Sequence, residues 1–134
     1  MILIVTGSRT IAPDTARRAL HDHIAAAGWC PTIIVHGDAR GADQGAALLG
    51  ADLGARVIAL PVTPADWKRD RLAGHARNGA MLRRALATAA RDRLDLRLVA
   101  MWDGRSGGTA NCVTQAVALG IRTVVINNQA KENP

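Results

Sequence analysis

The stretch Thr32-Ile33-Ile34-Val35-His36-Gly37-Asp38-Ala39-Arg40-Gly41-Ala42-Asp43 decides the fold. Its opening residues are a short β-branched run, as expected of a parallel strand covered on both faces. Gly37 and Gly41 then bracket a tight loop, and residues 41–53 read as a helix that Gly54 stops. A strand that passes through a glycine turn into a helix is half of a βαβ unit, and the same succession repeats on either side.

Upstream, Ile2-Leu3-Ile4-Val5 is a continuous apolar strand, and Pro13 opens a helix that reaches residue 27 before Gly28. Downstream, residues 56–60 are predicted as the third strand. Residues 61–67 are predicted as irregular because they are polar and proline-rich. A long helix is expected over residues 71–90, with Leu72, Ala76, Leu82, Leu86 and Ala89 on one side, and a fourth strand over residues 96–101. The last helix is predicted over residues 109–119, burying Val113, Ala116 and Val117, with Gly120 as its stop. Residues 121–126 form the fifth strand, and residues 127–134 a polar tail expected to fray.

Five strands alternating with four helices predict one α/β domain over residues 1–134. Its expected form is a Rossmann-like three-layer α/β/α fold, with a five-stranded, mainly parallel sheet in the order 3-2-1-4-5. That order puts a topological switch point between the first and fourth strands, and ligands of such sheets bind beyond the carboxyl ends of the strands there.

Composition agrees with a globular domain, at 49% hydrophobic and 21% charged residues. The apolar runs are too short to span a bilayer, and Met1 leads straight into a strand without a basic leader, so a cytoplasmic protein with no membrane partner is expected. Cys30 and Cys112 form no close pair and no metal pattern with the histidines, so both read as packing thiols and no metal site is expected. The net charge of +6 suits a phosphate-bearing partner, nucleic acid included. Against nucleic acid stands the absence of Phe and Tyr, which leaves only Trp29, Trp67 and Trp102 for stacking. Alanine-rich helical faces suggest a homodimer or higher homo-oligomer.

Chemistry concentrates at the predicted strand ends. After the first strand, Thr6-Gly7-Ser8-Arg9 offers close backbone approach, a hydroxyl and a forked cation suited to phosphate. In the second turn, the free N–H groups of residues 37–41 are expected to face an anion, with Arg40 adding charge beside Ala42 at the helix start. Asp43 reads either as a dipole partner in the first helical turn or as an acceptor for a ribose hydroxyl. His36 reads either as a rim histidine or as a general base. After the fourth strand, Trp102-Asp103-Gly104-Arg105-Ser106-Gly107-Gly108-Thr109 makes a second expected anion nest, with Thr109 as the capping residue. Trp102 either stacks a base or caps the core. Trp67 near the third strand and Arg77-Asn78 in the long helix are further ligand candidates. Arg77, Arg84 and Arg91 recur every seven residues as one basic stripe.

An anion at a helix N-terminus gains roughly 0.3–1 kcal/mol. Two such nests fall well short of the ~8 kcal/mol that micromolar binding requires. Arginine side chains and a stacked tryptophan must supply the rest.

The motifs Val5-Thr6-Gly7-Ser8-Arg9, His36-Gly37-Asp38-Ala39-Arg40-Gly41-Ala42-Asp43 and Gly107-Gly108-Thr109 resemble, in this order, those of the SLOG superfamily. That superfamily groups DprA/SMF proteins with the LOG phosphoribohydrolases. Pro64-Ala65-Asp66-Trp67 and Arg77-Asn78 resemble the middle segment of its small YspA/YpsA-like branch. The resemblance implies a Rossmannoid fold and a pocket for a nucleotide or an ADP-ribose-like derivative, with no cofactor required. The hydrolytic members carry a glutamate three residues after the motif threonine. Here that position is Cys112, and the first glutamate in the chain is Glu132. Catalysis would therefore fall to an aspartate, with Asp43, Asp38 and Asp103 as candidates. Three functions follow in order of expectation: a module that senses or sequesters a nucleotide derivative, an N-glycosidase acting on nucleoside monophosphates, and a DprA-type binder of single-stranded DNA.

Overall fold

In a computed structural model that describes residues 1–127, the strands are β1 (Ile2–Gly7), β2 (Ile33–His36), β3 (Arg56–Ala59), β4 (Leu96–Trp102) and β5 (Arg122–Asn127). They form one all-parallel sheet in the order β3-β2-β1-β4-β5. The register sets Ile4 of β1 between Val35 of β2 and Leu98 of β4. The helices are α1 (Pro13–Ala27), α2 (Ala42–Leu53), α3 (Pro64–Arg69), α4 (Ala73–Asp92) and α5 (Gly107–Ala118).

Strand side chains alternate between the faces, and each face is covered by its own helices. Leu3, Val5, Ile34, Val99 and Met101 pack on one face against Leu20 of α1 and Leu49 of α2. Ile2, Ile4, Val35, Leu98 and Ala100 pack on the other against Met81 and Leu82 of α4 and Cys112 and Ala116 of α5. The chain changes face between β3 and β4, which makes the fold a three-layer, Rossmann-like α/β sandwich with its switch point between β1 and β4. No helix among the described residues is long and apolar enough to cross a membrane.

The structure departs from the sequence expectations in several places. Residues 64–69 are helical rather than irregular: Thr63 Oγ1 accepts from Asp66 N at 3.1 Å, Asp66 Oδ2 accepts from Thr63 N at 3.0 Å, and Pro64 occupies the first turn. The prolines that suggested a loop therefore open a helix, through a capping box. α4 starts two residues later than expected, leaving Leu72 59% exposed and Ala76 also exposed. Its buried stripe runs through Asn78, Met81, Leu82, Ala85 and Ala89, so Leu82 and Ala89 of the expected face are buried and Leu86 packs partly buried against the same core. α5 starts earlier, at Gly107, and turns Cys112 and Ala116 inward while Val117 is 62% exposed. Small side chains are the ones that let α5 sit close to α4 and β1. The expected polar tail begins inside β5, at Asn127, and its remainder lies outside the described residues.

Candidate functional site

The carboxyl end of β1, the turn from β2 into α2, the start of α5 and the region from α3 into α4 enclose a cleft of about 360 Å³. Nine of the sequence-predicted residues line it: Thr6, Gly7, Arg9, Asp43, Trp67, Arg77, Asn78, Gly108 and Thr109. Arg71, Gly74, His75, Ala39 and Ser106 also line it. His75 and Asn78 are spaced by three on α4, the spacing of one helix face, and that signal could have found His75. Among the described lining residues Asp43 is the one carboxylate, against the cations Arg9, Arg71 and Arg77.

The second turn is not the open anion nest the sequence suggested. Asp43 Oδ2 accepts from both Gly37 N and Ala39 N at 3.1 Å. Asp38 N donates to His36 Nδ1 at 2.9 Å, Gly41 N to Gln44 Oε1 at 3.3 Å, and Ala42 N to the Ser8 carbonyl at 3.3 Å. These amides are committed to the protein's own acceptors, so the loop is a braced wall of the cleft. Its glycines serve that bracing. Gly41 has φ of 78°, and a Cβ there would overlap the Ser8–Arg9 backbone. A Cβ at Gly37 would overlap the guanidinium of Arg77.

Asp43 is 4% exposed, and burial pushes its carboxyl up to about 6 against the opposing pull of the two loop amides and of Arg77. A group that changes protonation near pH 6 inside a cleft is suited to acid–base work. His36 is buried, and desolvation lowers its pKa, favouring neutral imidazole. Its Nδ1 accepts from the loop, so it braces the turn and does not line the cleft. Asp38, in the left-handed region at φ 55°, and Arg40 are exposed away from the cleft. Asp103 Oδ1 accepts from Arg105 N at 2.8 Å and Ser106 N at 2.9 Å, bonds that hold its carboxyl below the usual range. Of the three candidate aspartates, only Asp43 borders the cleft.

The start of α5 is built differently. Ser106, not Thr109, is the N-cap: its Oγ accepts from Thr109 N at 3.3 Å and from Thr109 Oγ1 at 3.0 Å. Trp102 Nε1 donates to the Ser106 carbonyl at 3.0 Å, so this indole holds the turn and does not line the cleft. Buried Ser8 accepts from Asp103 N at 3.0 Å and ties β1 to the same turn. Gly107 and Gly108 then occupy the first turn of α5, where no intrahelical carbonyl reaches their N–H groups. Neither has positive φ, and a Cβ on either would meet open space. The protein's own packing does not require glycine at these two positions.

Behind this turn, Arg77 Nη1 donates to the carbonyls of Gly37 and Leu60, and Arg77 Nε donates to Asn78 Oδ1 at 3.1 Å. Arg77 thus leaves the solvated stripe of exposed Arg84 and Arg91 and joins the site. Trp67, 43% exposed on α3, rests its ring edge against Gly74 and forms the outer wall. Cys112 lies one turn beyond Thr109 in the core, where burial pushes its thiol up to about 11. A neutral, buried thiol does not replace a carboxylate base. No group of three or more His, Cys, Asp or Glu residues suited to a metal occurs among the described residues.

No protein-family model matches the chain, and no curated protein matches it.

Proposed function

We propose that the protein binds a nucleotide or nucleotide-derived phosphate ligand in the cleft at the carboxyl edge of the sheet, as a sensing or sequestering module. The observation that carries this reading is the pair Gly107-Gly108, which opens α5 at the switch point with ordinary backbone angles and open space where side chains would be. Glycines that the fold does not need leave backbone N–H groups accessible to an anion at the positive end of a helix. Arg9, Arg71 and Arg77 add the cationic contribution that the helix end alone lacks, and Trp67 offers a face for a base. The cleft volume falls within the range of small-ligand sites. The resemblance to the SLOG superfamily points the same way, toward its small YspA/YpsA-like branch.

Mass spectrometry of what co-purifies, followed by calorimetry with AMP, NAD and ADP-ribose against their unphosphorylated nucleosides, tests the reading. Binding that depends on the phosphate supports it; indifference to every phosphorylated compound refutes it.

Asp43 favours a second reading, hydrolysis of the N-glycosidic bond of a nucleoside monophosphate. It borders the cleft and titrates near 6. Release of free base that disappears in Asp43→Ala would establish turnover.

A further inference from the structure

We infer that Asn78 is a positioning residue that holds the Gly107-Gly108 turn in its anion-accepting geometry and couples it to the Gly37 loop; this rests on the proposed phosphate site. Asn78 is 3% exposed, in the first half of α4. Its Oδ1 accepts from Arg77 Nε at 3.1 Å, and its Nδ2 donates to the Gly108 carbonyl and to Asn111 Oδ1, both at 3.2 Å. On the far side, Arg77 grips the Gly37 carbonyl. One continuous chain of hydrogen bonds therefore joins the two glycine turns through a single carboxamide.

The side-chain chemistry explains why an amide stands there. Arg77 has only donors to offer, and the Gly108 carbonyl only accepts. A group placed between them must accept on one side and donate on the other, and a carboxamide does both without charge. Fixing the Gly108 carbonyl toward α4 fixes the orientation of the first turn of α5, and with it the direction of the N–H groups that would meet a phosphate. Asn78 itself borders the cleft, but its polar atoms are engaged with the protein.

The test compares the full chain with Asn78→Leu, which keeps the size and adds no charge to the cleft but removes the carboxamide that joins Arg77 to Gly108. Calorimetry with AMP and with adenosine gives the phosphate contribution as a ratio of affinities. Hydrogen exchange reports on residues 106–110 without ligand. The expected result is a tenfold or greater fall in the AMP-to-adenosine ratio, with faster exchange at residues 106–110. Asn111→Ala, which removes the other partner of Nδ2, should leave the ratio within twofold. A merely structural role would weaken both ligands equally and leave the ratio unchanged, and that result would overturn the inference. Should Asn78→Leu fail to fold, Asn78→Ser carries the same comparison. Wild-type protein that binds neither probe would remove the proposed site, and this inference with it. Wild-type binding with an unaltered ratio in the variants would remove the inference alone.

Discussion

The guanidinium of Arg77 occupies the space that a side chain at Gly37 would need, and its Nη1 donates to the Gly37 carbonyl. Residues forty apart in sequence are thereby made one unit, a strand-end glycine and a helix cation. Gly37→Ala should force the guanidinium away and cost about 2–3 kcal/mol, within the range of a disrupted, half-buried network. Because Arg77→Ala removes the same contact, the double variant should be less destabilised than the sum of the singles, by about 0.5–3 kcal/mol. Urea unfolding of the four proteins measures this; strict additivity would show that the two residues do not communicate.

Gly108→Ala should separate stability from binding. The added methyl meets open space in a helical turn, so stability should hold or rise by about 0.4–1 kcal/mol through the less flexible unfolded chain. Affinity for AMP should fall, because the methyl enters the space proposed for the phosphate. Thermal melts and calorimetry on one preparation read both. Unchanged affinity would move the ligand away from α5.

Asp43 should make stability fall as pH rises from about 4 to 6. Its carboxyl titrates at 3.8 in the ordinary state and about 6 in the folded one, so between these values the folded protein holds the extra proton. The stabilisation from that proton is complete below 3.8 and is lost as pH climbs through 6. The full amplitude is about 3 kcal/mol, with Arg77 and Asp38 as the charged groups that act on it. Asp43→Asn keeps an oxygen for the Gly37 and Ala39 amides and should lack this slope. Urea midpoints at pH 4, 5, 6 and 7 decide it: parallel profiles would dissociate Asp43 from the effect.

Trp67→Ala should leave the fold nearly intact, since α3 has no buried residue. If the indole stacks a base, affinity should drop by about 1–3 kcal/mol. Stopped-flow quenching of tryptophan fluorescence on AMP addition, present in wild type and lost in the variant, checks the contact. Retained quenching would assign the signal to Trp29 or Trp102.

Salt separates a pocket ligand from single-stranded DNA. A strand that contacts several arginines should lose affinity steeply between 50 and 200 mM salt, roughly in proportion to the number of phosphates engaged. A monophosphate in the cleft should show a shallow dependence. Titrating both ligands across that range shows which of them the basic surface serves.

Local pattern was enough for the fold because each βα step carries its own signal. Apolar β-branched runs alternate with helical stretches stopped at Gly28, Gly54 and Gly120, all three with positive φ. Short-range chemistry also misled in places. The prolines around Thr63 looked like a loop until the reciprocal Thr63–Asp66 bonds made them a helix start. The Gly37–Gly41 loop looked like an anion nest because local sequence left its amides unclaimed, and neither role open to Asp43, dipole partner or ribose acceptor, included claiming them.

Chain order, strand order and nine of the residues that line the cleft were legible in the sequence alone, because apolar periodicity and glycine stops act over a few residues at a time. Only tertiary structure decided which polar groups were already taken. Asp43 claims Gly37 and Ala39, Asp103 claims its own turn, Arg77 and Asn78 bridge two loops, and the start of α5 keeps its glycines facing open space. Hydrogen-bond partners distant in sequence meet only when the sheet brings the turns together, and that pairing separates a braced wall from a helix start whose glycines face open space.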